Sequence, residues 1–119
     1  MNKSEIRYLT KKYFECFRSQ NIVDLKSMYA DDVVISDPTT SRIEGVESVL
    51  KSNTNLFGQF TSIDIQLRSL YIDIIGNTSV SEFIFLADGN ANEVVDIISF
   101  DQNKKIVRVI AYFGKNVEK

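Results

Sequence analysis

Between residues 4 and 19, apolar side chains fall at Ile6, Leu9, Tyr13 and Phe17, with Phe14 and Cys16 flanking. That spacing predicts one amphipathic helix with a single buried stripe. Lys3, Arg7, Lys11 and Arg18 lie off the stripe and belong in water. Asn21 has the form of an N-cap, with Asp24 favourably placed in the first turn behind it. The short helix it opens carries Ile22, Leu25, Met28 and Tyr29 inward. A short strand over 33–37 follows and stops at Pro38. A third helix is predicted over about 46–56, with Val46, Val49, Leu50, Asn53, Leu56 and Phe57 on one side and Gly45 just before it.

The period then changes to two. Residues 62–75 alternate through Ile63, Ile65 and Leu67, then Leu70, Ile72 and Ile74, and the slip of phase near Ser69 predicts a bulge. Residues 80–87 form a strand apolar on both faces, and Asp88-Gly89-Asn90 is a turn signal. Residues 94–100 and 106–113 read as an antiparallel hairpin joined through Asp101-Gln102-Asn103-Lys104. Helices first and a long meander afterwards imply an α+β fold. A curved, mostly antiparallel sheet wrapping those helices would make a cone with a pocket inside.

With 119 residues, the chain has the length of one domain, and its thirteen aromatics (8 Phe, 5 Tyr) supply the bulk of a core. Lys+Arg is 14 against 16 Asp+Glu, so nothing suggests a nucleic-acid partner. No run of about 18 apolar residues suggests a membrane-spanning helix. The first residues lack a signal peptide's apolar stretch, so a reduced cytoplasmic setting is expected. Two absences narrow the chemistry. There is no histidine, and Cys16 is the only cysteine. Histidine triads, histidine metal sites and cysteine clusters are excluded, and acid–base work falls to Asp, Glu, Tyr, Lys or Cys16.

Four polar residues fall on predicted apolar faces. Period two puts Asp37 on the face of Val33 and Ile35, although Asp-Pro also ends strands and caps turns. Asp96 lies mid-strand, sharing its face with Val94, Ile98 and Phe100. Such an aspartate meets solvent at an edge, pairs with a cation, or takes up a proton, because isolated buried carboxylates are costly. Tyr13 sits on the inward stripe of the first helix, and Asn53 on the inward side of the third. Buried, each needs a partner. Together they suggest a small-molecule pocket with convergent polar groups. One ionised and one protonated carboxyl suit proton abstraction beside a carbonyl, with no cofactor or metal required.

The stretch from Met28-Tyr29-Ala30-Asp31-Asp32 through Val33-Val34-Ile35-Ser36-Asp37-Pro38 resembles the corresponding segment of bacterial Δ5-3-ketosteroid isomerases, members of the NTF2-like (SnoaL-like) superfamily. Val94-Val95-Asp96-Ile97-Ile98-Ser99-Phe100-Asp101 resembles the isomerase strand that carries a protonated aspartic acid, and Ala111-Tyr112-Phe113 its last strand. The resemblance implies Asp37 as general base, and Tyr13 and Asp96 as oxyanion-hole donors. It places Tyr29 and Phe113 at the substrate site. Ketosteroid isomerase is itself the standard case of a carboxylic acid kept neutral to donate a hydrogen bond. Asn53 stands near a third tyrosine of some isomerases, where it could take over part of that role or mark a different ligand.

The resemblance implies an isomerase acting on a hydrophobic, steroid-like enone, and a homodimer packed through the sheet face. Two other readings stay open: a SnoaL-like cyclase or dehydratase acting on another small molecule, and a non-catalytic ligand-binding domain. Epoxide hydrolases of this fold resemble an Arg-Asp-Asp arrangement, for which only Arg68 and Arg108 are strand candidates here. Arg42, in the loop over 39–44, could attract an acidic substrate or simply be solvated.

Overall fold

The computed structural model describes residues 1–117. Helix α1 (Lys3–Arg18) opens on a capping box that the apolar pattern did not announce. Asn2 accepts from the Glu5 backbone, and the Glu5 side chain accepts from the Asn2 backbone. Helix α2 (Ile22–Met28) is capped by Asn21 as expected, with Oδ1 3.0 Å from the Asp24 amide. Tyr29 is not helical; it begins strand β1 (Tyr29–Ser36), which is longer than the sequence suggested. Strand β2 (Ile43–Glu44) was not foreseen, because two residues have no period to read. Helix α3 (Val46–Gly58) enters through Gly45 at φ 89°, a backbone conformation that glycine adopts without strain.

Four long strands follow: β3 (Ile63–Asp73), β4 (Thr78–Ala87), β5 (Asn90–Phe100) and β6 (Ile106–Asn116). They form one six-stranded sheet in the order β2-β1-β6-β5-β4-β3. Only the β1–β6 pairing is parallel. The expected bulge lies between Leu67 and Ser69. This is the α+β cone that the pattern implied: helices held in the concavity of a curved, mostly antiparallel sheet.

The core forms where α1 meets that concavity. Ile6, Phe14, Leu25, Val33, Ile98 and Ile106 are wholly or almost wholly buried. Phe14 stacks on Phe83 of β4 with ring centroids 4.9 Å apart. At one polar seam Thr10 donates to Ser79 across 2.8 Å, joining α1 to β4. Among the described residues no helix is long and apolar enough to cross a membrane.

Candidate functional site

A cavity of about 820 Å³ opens between α1, α3 and the concave face of the sheet. Its inner wall is apolar, from Phe14, Phe17, Ile65, Phe83, Val94 and Val109. Tyr13, Asp37, Asn53, Asp96 and Phe113 line it too, delivered by α1, the end of β1, α3, β5 and β6. Phe113 sits half-exposed. Tyr29 is not among the lining residues; it stands behind Tyr13, their rings 6.3 Å apart and nearly perpendicular.

Asp96 owes its place to strand alternation. Inward residues of β5 are buried and outward ones half-buried, and Asp96 falls on the inward set with Val94 and Ile98. It is 7% exposed. Burial alone pushes its carboxyl up to about 7, with no cation or hydrogen bond offsetting the shift. Near neutrality this side chain therefore carries a proton much of the time and can donate it in a hydrogen bond. Directly across the ladder on β4 is Ser81, fully buried, whose hydroxyl has no partner. Opposed residues share a face, so this hydroxyl borders the acid.

Tyr13 is 4% exposed, braced by Phe17 at 4.9 Å between centroids. Burial raises its phenol well above the ordinary range, and Tyr29 and Asp96 add to the rise. Asn53 resolves the question its position posed. Its amide Nδ2 donates to the Tyr29 hydroxyl across 2.6 Å, and Tyr29 packs edge-on against Tyr13. Asn53 thus fixes the aromatic neighbour of Tyr13.

Asp37 is held differently. Its Oδ1 accepts from the Thr39 backbone, the Thr39 hydroxyl and the Thr40 backbone, each at 2.8 Å. Partial burial pushes its carboxyl up, but the hydrogen bonds from Thr40 and Thr39 outweigh that and leave it below the usual carboxylate range. Asp37 is therefore ionised where Asp96 is not, and these bonds leave Oδ2 available. The turn-capping role and a place on the cavity wall coexist in the same side chain.

A family model for the SnoaL-like domain matches residues 10–109, a span containing all the site residues except Phe113. The chain belongs to the SnoaL-like family. Comparison with curated proteins finds no match for this SnoaL-like chain. Solved structures match its fold closely. A SnoaL-like protein of unknown function from Burkholderia thailandensis superposes with a TM-score of 0.84 at 12% identity, over 96% of this chain and 98% of that one. A Kribbella flavida protein provisionally called a ketosteroid isomerase gives 0.80 at 19%, over 98% and 82%. An epoxide hydrolase-like protein from Mycobacterium tuberculosis gives 0.76 at 15%, over 93% and 84%. At these identities the likeness is one of fold.

The arginines raised by the sequence stay outside the site. Arg68 pairs with Glu93 at 3.5 Å and Arg108 is exposed; neither lines the cavity. Arg42 pairs with Glu44 at 2.7 Å in solvent. Cys16 is buried against Met28, its sulfur 4.0 Å away. Among the described residues no group of three or more His, Cys, Asp or Glu could hold a metal ion. What sequence reasoning missed in this SnoaL-like chain is a second face of α3. Ser48, Lys51, Ser52, Asn55 and Gln59 also line the cavity. Their helical spacing was visible, but a polar stripe reads as a solvated surface until the opposite wall is known.

Proposed function

We propose that this chain is a cofactor-free isomerase that moves a proton within a hydrophobic, steroid Δ5-3-ketone-like substrate. The observation that carries the reading is one cavity lined by an ionised carboxylate, a carboxyl that keeps its proton near neutrality, and a buried phenol. Asp37 takes the proton from the carbon between the carbonyl and the double bond. The electron pair moves onto the carbonyl oxygen, giving a dienolate. Tyr13 and protonated Asp96 donate hydrogen bonds to that oxygen, where the negative charge develops. Protonated Asp37 then returns the proton to the far carbon of the former double bond, leaving the conjugated enone. Proton and electrons balance with no other reactant. Asn53 and Tyr29 position Tyr13, and Phe113 closes the rim over the substrate.

Epoxide hydrolysis in the manner of an Arg-Asp-Asp site is the weaker reading, because no arginine lines the cavity. The test is turnover of 5-androstene-3,17-dione, followed by the ultraviolet absorbance of the conjugated product with no cofactor added. Formation of the enone by the wild-type protein is expected. No enone above the uncatalysed background would end this reading.

The two carboxyls also set a pH profile. kcat/KM should fall as pH rises through about 7, where Asp96 loses the proton it donates. On the acid side it should hold until below the usual carboxylate range, because Asp37 stays ionised there. A profile still rising between about pH 7 and about pH 9 would contradict Asp96 as an acid donor.

The same reading includes a homodimer. On the outer face of the sheet, Val80, Ile97 and Ile110 stand side by side across three strands. Each is only half-buried, and the neighbouring Tyr112 is 54% exposed. A second copy packed on this face would cover them. Size-exclusion with light scattering is expected to give twice the mass of one chain. A monomer at micromolar concentration would exclude this arrangement.

A further inference from the structure

The cavity has two chemically different ends. The end near Tyr13 and Asp96 is walled by aromatic and branched side chains, whereas the side formed by α3 is polar. Ser48, Lys51, Ser52, Asn55 and Gln59 follow one another at helical spacing along a single face. A different stripe of the same helix, Val49, Asn53 and Phe57, is buried. Packing of that buried stripe fixes the rotation of α3 and leaves the polar stripe at the mouth of the cavity, with Ser48, Lys51, Asn55 and Gln59 exposed and Ser52 half-buried. A solvated polar rim beside an apolar interior matches a ligand whose body is apolar and whose outer end is polar.

Among the lining residues only Asp37, Lys51 and Asp96 can carry charge, and Lys51 is the single cation. The ion pairs of the described residues use Arg18, Arg42, Arg68 and Lys104, and none involves Lys51. Lys51 does not neutralise Asp37, whose Oδ1 is engaged by Thr39 and Thr40. Arg42, the other cation near this region of the chain, is paired with Glu44 and lies outside the cavity lining. An exposed ammonium at the mouth of a cavity with an apolar inner wall, with no ion-pair partner among the described residues, is a site for an anion carried by the ligand.

We propose that the substrate has a hydrophobic body ending in a carboxylate, and that Lys51 pairs with this carboxylate at the polar wall while the reacting carbonyl reaches Tyr13 and Asp96. The orientation of the carbonyl rests on the isomerase reading; the pairing with Lys51 does not. Asn55, about one turn further along the same face, offers an amide donor at the mouth. The pair would be solvent-exposed and correspondingly modest in strength, acting on specificity and encounter more than on raw affinity.

The test compares binding of 3-oxo-4-cholenoic acid and its methyl ester, which share the ring system and enone and differ in charge. Isothermal titration at neutral pH and low salt is expected to show the acid bound about fivefold tighter. Added salt should erode that preference, and Lys51→Gln should abolish it. Equal binding of acid and ester, or a preference that survives Lys51→Gln, would overturn the Lys51 assignment and leave the isomerase reading standing. A Lys51-dependent preference in a protein that turns over no enone would support Lys51 and count against isomerisation. Binding of neither compound would overturn the Lys51 assignment, and the isomerase reading would still stand or fall on turnover of 5-androstene-3,17-dione.

Discussion

Replacing Asp96 with asparagine is expected to stabilise the protein in alkaline solution and to disable it as an enzyme. The wild-type carboxyl is pushed up to about 7 by burial, from an ordinary value of 3.8. The native state therefore binds this proton more tightly than the unfolded state does. Stability conferred by the protonated form is complete below about pH 4, declines as pH rises, and is lost once pH passes about 7. At about 1.36 kcal/mol for each pKa unit, the loss reaches roughly 4 kcal/mol. Asparagine keeps the shape and never ionises, so it escapes that penalty. Urea unfolding should show a gain that grows by about 2–3 kcal/mol between about pH 5 and about pH 9. A gain independent of pH would show that Asp96 is not titrating in the fold. Turnover should fall roughly 10²-fold or more, the usual consequence of losing one oxyanion donor. An asparagine amide still donates, but it cannot match an acid proton facing a developing oxyanion.

Asp37→Asn separates catalysis from folding still more cleanly. The three hydrogen bonds that fix Asp37 all end on Oδ1, an acceptor that asparagine retains. The turn after β1 should survive, and thermal unfolding should move little. What disappears is the base. The rate of isomerisation is expected to drop roughly 10²- to 10⁴-fold. Thr39 and Thr40 make Asp37 less basic than an ordinary aspartate, which favours its ionised form at every working pH and lowers its pull on a carbon-bound proton. Unchanged turnover in this variant would reduce Asp37 to a turn cap.

Most of the candidate site's cavity lining was legible because its polar residues break simple rules. Asp96 interrupts a strand of β-branched residues, and the alternation that buries Val94 and Ile98 buries it as well. Tyr13 follows from a helical stripe, and the bulge beside Ser69 from a slip in phase. Other features depend on partners distant in the chain. Asn53 could be assigned to the inward side of α3, but its bond to Tyr29 spans 24 residues and depends on how α3 packs against β1. The parallel pairing of β1 with β6 and the two-residue β2 leave no periodic trace. Ser81 lies in a strand whose pattern is apolar on both faces, and only the β4–β5 register sets it against Asp96. The polar stripe on α3 is exposed, and only the tertiary fold places it at the mouth of the cavity.

The account stands on one carboxyl remaining protonated in an apolar cavity beside a phenol, while another remains charged. Carbon-13 NMR of the aspartate carboxyls, titrated across pH, reads this directly, with the Asp96 resonance assigned by its loss in Asp96→Asn. The account predicts a midpoint at about 7 for Asp96 and one below the usual carboxylate range for Asp37. A midpoint for Asp96 near the ordinary aspartate value of about 3.9 would contradict it.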